Sequence, residues 1–324
     1  MRALIFDGEQ PRLVTNHPEA RPDAGEALVR TTLAGITSVD REICQGLLGF
    51  TGVLGHEFVG VVESVEGGDD KLIGKRVVGS IASACGRCDL CLKGLSRHCR
   101  NRTIIGMEGR DGCLADRFTL SSRNLVTVPD SVDDDHAVFA QVLSSAIQTS
   151  RQLTIEGKPY ITVLGDGPLG LLMVQVMAKL NASVRLIGHY SEKLAVCEKW
   201  GIKHRHIDDI GRRADQDVVV DCTGSQTGLE VALQLVRPRG KVVLKTMASP
   251  TARVAPGVDL TPVVLNEIEV IGSHYGPVGE AVSMLARREV DVVSLISRRM
   301  KLDDGAAILR ANAQPGVIKV LVTM

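Results

Sequence analysis

Short apolar runs broken by glycine, proline and aspartate fill the chain up to about residue 130. The stretches ALVRTTLAG, EFVGVVESV, KRVVGSI and LVTVP alternate or cluster Val, Ile and Leu at strand spacing, which predicts a β-rich segment of barrel or sandwich type. From about Lys158 the texture changes. Apolar strands YITVLG, SVRLIG, DVVVDCTG, KVVLKT and IEVIGS now alternate with helical stretches LGLLMVQVMAKL, SEKLAVCEKW and LEVALQLV. Strand–helix alternation of this kind predicts an α/β domain built on a doubly wound parallel sheet with helices on both faces. After His274 the pattern gives one helix, VGEAVSMLARREV, and a strand-like end, GVIKVLV. No internal repeat, low-complexity tract or long linker interrupts it, so two domains are expected.

Bulk composition narrows the function classes. A chain of 324 residues suffices for about two ordinary domains, and 44% hydrophobic with 23% charged residues suits a folded globular protein. Lys plus Arg and Asp plus Glu each total 38, so no global field gathers nucleic acid or an anionic membrane. No apolar run reaches the roughly 18 residues of a membrane helix. The opening MRALIFDGEQ lacks the basic-then-apolar order of a secretory signal, so cytoplasmic residence is expected. Four of the eight cysteines lie within fifteen positions, unlike the spread of a disulfide framework.

The strand YITVL runs directly into Gly165-Asp166-Gly167-Pro168-Leu169-Gly170, and an apolar helix follows. Gly165 is expected to make the tight turn, Gly167 to let backbone approach a pyrophosphate, and Gly170 to pack helix on strand. Pro168 and Leu169 open the helix whose N-terminal N–H groups would face the phosphates. A nicotinamide dinucleotide is the expected cofactor. An acid at the end of the second strand would hold the ribose hydroxyls of NAD, but SVRLI ends in Gly188-His189-Tyr190-Ser191, with Lys193 beyond. Gly188 is expected to leave room for a 2′-phosphate that His189, Ser191 and Lys193 would bond. The reading is therefore NADP or NAD, with NADP favoured.

Cys85, Cys88, Cys91 and Cys99 stand as C-x2-C-x2-C-x7-C. Four thiolates on one short loop close a tetrahedral shell with no open position, which makes one structural zinc per chain the expectation. An iron–sulfur cluster is the rival, but the ferredoxin run has three residues before its fourth Cys and a Pro after it, against seven and Arg100 here. The isolated Cys44, Cys113, Cys197 and Cys222 read as small buried hydrophobes.

Taken together, these residues resemble the zinc-containing medium-chain dehydrogenase/reductase family of alcohol, sorbitol and threonine dehydrogenases. The resemblance spans nearly the whole chain and includes Gly55-His56-Glu57-Phe58-Val59-Gly60, VLGDGPLG, DVVVDCTGS, VRPRGKVVL, EIEVIGS and GVIKVLV. It implies a GroES-like β-rich catalytic domain over 1–143 and 279–324, a Rossmann domain over 144–278, and a homodimer or homotetramer. It also implies that His56 matches the catalytic-zinc histidine, Glu57 the acid beside that metal, and Asp40 the Asp that closes the family's Gly-Ile-Cys-Gly-Thr-Asp stretch.

That stretch here reads Gly35-Ile36-Thr37-Ser38-Val39-Asp40, so Thr37 replaces a cysteine ligand and Val39 a proton-relaying hydroxyl. Gln141 aligns with a glutamate ligand. Neutral oxygens are poor zinc donors, which leaves His56 as a weak candidate for a second zinc, with Glu57 as a mobile partner. Without that metal, a hydrogen-bond donor must polarise the substrate. His56, oriented by Glu57, is one candidate, and His274 with Tyr275 another. The expected activity is NAD(P)-dependent hydride transfer on a small alcohol or carbonyl compound. The alternatives are a zinc-independent quinone or alkene reductase of this fold, or a silent NAD(P)-binding protein.

Overall fold

The computed structural model describes residues 1–68, 70–211, 213–247 and 257–324, which form two compact units. Met1–Gln141 and Val278–Met324 make the first, and Val142–Pro277 the second.

The first unit is built on a seven-stranded sheet. At its centre Glu26–Ile36 (β1) pairs antiparallel with Glu57–Val65 (β2), and helix Ser38–Ile43 (α1) lies between them in sequence. The C-terminal strand Lys319–Thr323 closes against the other edge of β1. The register sets Gly35 opposite both Glu57 and Leu321, so one turn of β1 faces the start of β2 and the far end of the chain together. Phe58 and Phe118 meet edge to face at 4.7 Å inside this sheet.

In the second unit, helix Ala140–Gln152 (α2) enters and six parallel strands follow. They are Tyr160–Leu164 (β3), Ser183–Gly188 (β4), Lys203–His206 (β5), Gln216–Asp221 (β6), Val236–Leu244 (β7) and Glu269–Gly272 (β8). Helix Pro168–Ala178 (α3) follows β3, and Gln226–Leu235 (α4) follows β6. The spatial order β5-β4-β3-β6-β7-β8 reverses direction between β3 and β6, the point at which ligands settle in open α/β sheets.

Eight consecutive residues of α3, Gly170–Met177, are buried, so this helix, apolar there except for Gln175, is covered all round. Each fully buried Leu or Val there stabilises the fold by roughly 1.5–3 kcal/mol. Beneath α4, Leu164, Ile187, Val219 and Val242 pack with Ala232 and Leu235.

One local expectation changes, and two elements form where the sequence pattern predicts none. SEKLAVCEKW is only one α-helical turn, Ser191–Leu194, continued as a 3-10 segment over Ala195–Trp200. The strand KHRH has no apolar pattern, and it forms because a backbone ladder to β4 needs no apolar side chain. Helix α2 falls between the β-rich and the strand–helix segments, outside both patterns.

Candidate active site and metal centre

Thr37 caps α1: its hydroxyl accepts from Asp40 N at 3.4 Å, while Asp40 Oδ2 accepts from Thr37 N at 2.8 Å and from Thr37 Oγ1 at 2.9 Å. The other carboxylate oxygen, Oδ1, accepts from Gly55 N at 3.2 Å and faces His56 Nδ1 at 3.5 Å. That nitrogen is buried and has no closer partner. Burial works to raise the Asp40 carboxyl. The charge of the His56 imidazole and both Thr37 donors outweigh it and hold Asp40 below its ordinary value. Asp40 thus faces the Nδ1 side of the buried His56 imidazole.

Glu57 does something other than expected. Its carboxylate is locked in a buried ion pair with Lys319 Nζ, next to the Phe139 ring. A Cβ on Gly35 would stand 2.8 Å from both Glu57 Oε2 and Lys319 Cε, so the missing side chain makes the room for the pair. The expectation that Glu57 orients His56 or swings onto a metal therefore fails, because its charge is already neutralised by Lys319. Thr37 Oγ1 is committed to Asp40, and Gln141 sits half-buried in the first turn of α2. Among the described residues no three His, Cys, Asp or Glu ligand atoms gather around His56. The residues present do not fit a catalytic zinc.

The four cysteines do gather. Their ligand atoms all lie within 4.8 Å of one another, with Sγ–Sγ distances of 3.5 Å for Cys88–Cys91, 3.7 Å for Cys88–Cys99 and 3.4 Å for Cys85–Cys99. A tetrahedral zinc with bonds of about 2.3 Å sets sulfurs about 3.8 Å apart, so the set fits a structural zinc. The N–H groups of Arg87 and Cys88 lower the Cys85 thiol to about 6, which favours the thiolate a metal requires. Apolar packing offers this lobe little: Leu92 is 77% exposed. By contrast, burial pushes the Cys44 thiol up to about 11 and Cys113 well above its ordinary value, as suits inert thiols.

At the carboxyl end of β3, Gly165 takes φ +105, and its N–H donates to Ile187 O at 2.8 Å. A Cβ on Gly170 would lie 1.8 Å from Gly165 O, so the helix start can approach the turn only without a side chain. Gly167 is the N-cap of α3, no side chain caps that end, and Pro168 stands in the first turn. Open space lies where a Gly167 Cβ would be, and Leu169 is half-buried.

The end of β4 corrects a second expectation. The room at Gly188 is filled: a Cβ there would meet Asp166 Oδ2 at 2.5 Å, because the loop brings the Asp166 carboxylate against the strand end. Lys193 Nζ lies 4.5 Å above the Tyr190 ring, and exposed His189 has its carbonyl bonded by His206 Nε2 at 2.7 Å.

Two further groups lie at the same sheet edge. The His274 carbonyl accepts from Ser145 Oγ at 2.8 Å, and the His274 and Tyr275 rings tilt together at 4.3 Å. Lys245, just past β7, is buried and donates to Ser145 O at 2.9 Å and Ser273 Oγ at 3.1 Å. Burial lowers its amine to about 8. A lone Lys inside the run VVLKTM was its only sequence signal.

Comparison with known proteins places this arrangement. Residues 23–130 match the alcohol dehydrogenase GroES-like domain, and residues 168–289 match the zinc-binding dehydrogenase domain. The 2-dehydro-3-deoxy-L-galactonate 5-dehydrogenase of Pseudoalteromonas atlantica is 26% identical over 99% of this chain and 98% of its own. The sorbitol dehydrogenase of Halalkalibacterium halodurans is 24% identical over 100% of this chain and 99% of its own. Among solved structures, the alcohol dehydrogenase TADH of Thermus sp. ATN1 superposes with a TM-score of 0.85 at 26% identity, over 100% of this chain and 99% of that one. A Sinorhizobium meliloti 1021 protein described as a zinc-binding dehydrogenase bound to NADP gives 0.85 at 25%, with the same coverage. The chain belongs to the zinc-containing medium-chain dehydrogenase/reductase family, as an alcohol dehydrogenase-like oxidoreductase.

Proposed function

We propose that this chain transfers a hydride between a nicotinamide coenzyme and a small hydroxyl-bearing compound of the polyol or sugar-acid type, without a zinc ion at the reacting carbon. The coenzyme would dock its pyrophosphate on Gly165, Gly167, Pro168, Leu169 and Gly170, where Gly167 leaves open space at an uncapped helix start. When bound, it supplies the hydride acceptor. His56 would take the hydroxyl proton at Nε2 as the carbonyl forms, and Asp40 would stabilise the imidazolium that results. The substrate class follows the names of the sugar-acid and sorbitol dehydrogenases to which the chain is similar.

The observation that carries this reading is the Asp40–His56 pair, kept intact while the other zinc donors are neutral or locked away. The test is reduction of NAD or NADP by a panel of polyols and sugar acids, with metal counted in the same sample. Turnover at one zinc per chain, with kcat reduced about 100-fold or more in His56→Ala and coenzyme affinity unchanged, is expected. The lost donor set also suits a reductase for a quinone or an activated alkene. Activity on those compounds and none on alcohols would select it.

A homodimer or homotetramer is part of the proposal. Among the described residues strand β8 pairs only with β7, Val270 on it is 45% exposed, and Val264 and Leu265 just before it are 76% exposed. No described helix is long and apolar enough to cross a membrane. Cytoplasmic residence is proposed because four clustered thiols require a reducing compartment.

A further inference from the structure

We propose that Asp166, contributed by the glycine-rich loop, acts as the acid that the end of β4 lacks and makes this chain prefer NAD(H) over NADP(H). The inference rests on the proposed docking of coenzyme at that loop. In open α/β sheets of this kind, an acid at the tip of the second strand accepts hydrogen bonds from the adenosine ribose hydroxyls and repels a 2′-phosphate. Residues 188–190 offer Gly-His-Tyr, with no carboxylate. The turn at Gly165 carries the next residue across to fill the gap.

Asp166 Oδ2 accepts the backbone N–H of His189 at 2.7 Å and of Tyr190 at 2.8 Å. The side chain is pressed into the volume a Gly188 Cβ would occupy, and the residue is only 8% exposed. Gly188 thus admits the carboxylate, and the two amides fix its orientation. No bond from any described residue reaches Oδ1, which leaves that oxygen as an acceptor for a vicinal diol.

The same arrangement disfavours a phosphate. A 2′-phosphate carries close to two negative charges near neutral pH and would meet a fixed carboxylate with little water between them. The basic group nearest in sequence, Lys193, lies over the Tyr190 ring, and His206 holds the His189 carbonyl while its Nδ1 faces Asp208 at 3.3 Å.

The experiment measures dissociation constants of the full chain for NADH and NADPH, in wild type and in Asp166→Asn. Asparagine keeps an oxygen for the His189 and Tyr190 amides but removes the charge, so the loop is retained and the selectivity ratio is the readout. The wild type is expected to bind NADH at least tenfold more tightly than NADPH, and Asp166→Asn to shift that ratio at least tenfold toward NADPH. Wild-type preference for NADPH, or an unchanged ratio in the variant, overturns the inference and leaves the proposed function standing. Binding of neither coenzyme overturns both.

Discussion

Lys319 and Glu57 lie at opposite ends of the chain in sequence and form one buried ion pair in the fold. A charge stripped of water needs its partner, so removing one member alone costs far more than the pair itself contributes. Lys319→Met is expected to destabilise the protein by about 3–5 kcal/mol in denaturant unfolding. Adding Glu57→Gln should recover part of that loss, because the stranded carboxylate is then gone. Lys245 gives a pH-dependent counterpart. Its folded value of about 8 lies below the 10.5 of an ordinary lysine. Between those values the unfolded chain holds more protons than the folded one, so stability rises with pH. The gain is about 3 kcal/mol when complete. Unfolding free energies from pH 7.5 to 10.5 should therefore climb more steeply in wild type than in Lys245→Met, and parallel curves would refute the assignment. None of these pairings was legible in the sequence. The resemblance alone implies Glu57 beside a metal, and only the fold, which brings the C-terminal strand against β1, shows that it pairs with Lys319.

At the scale of the element, the sequence spoke more clearly, because the two best-marked features are local. The glycine loop and the cysteine lobe each bring their residues together within one turn or one short excursion of chain, so spacing alone defines them. Gly170→Ala tests the first: its methyl would press on Gly165 O. Coenzyme binding should weaken at least tenfold, with about 1–3 kcal/mol of destabilisation from overpacking. Cys99→Ser tests the second, since a lobe with exposed Leu92 and Leu95 has no core to fall back on. Loss of zinc should lower the melting temperature by roughly 5 °C and open residues 84–102 to protease before the sheets unfold. What spacing could not give is the relation between elements. The Gly188 cavity looked empty in sequence, since the group that fills it comes from the β3 loop, a different strand end.

Over the whole molecule, the strand–helix alternation was enough to foresee a parallel sheet, whose six-strand order reverses between β3 and β6. The first unit was harder to read, because a sheet that takes one central strand from the C-terminus leaves no trace in local periodicity. The fold is that of a dehydrogenase, with a glycine-rich loop after β3, a four-cysteine lobe and an Asp40–His56 pair, and no three metal-ligating side chains around His56 among the described residues. On the proposed reading, a nicotinamide coenzyme binds where β3 turns into α3. Calorimetric titration of the purified full chain with NADH and with NADPH decides whether it does. Saturable binding of at least one of them at one molecule per chain is expected, and heat of dilution alone with both would rule out a coenzyme site there.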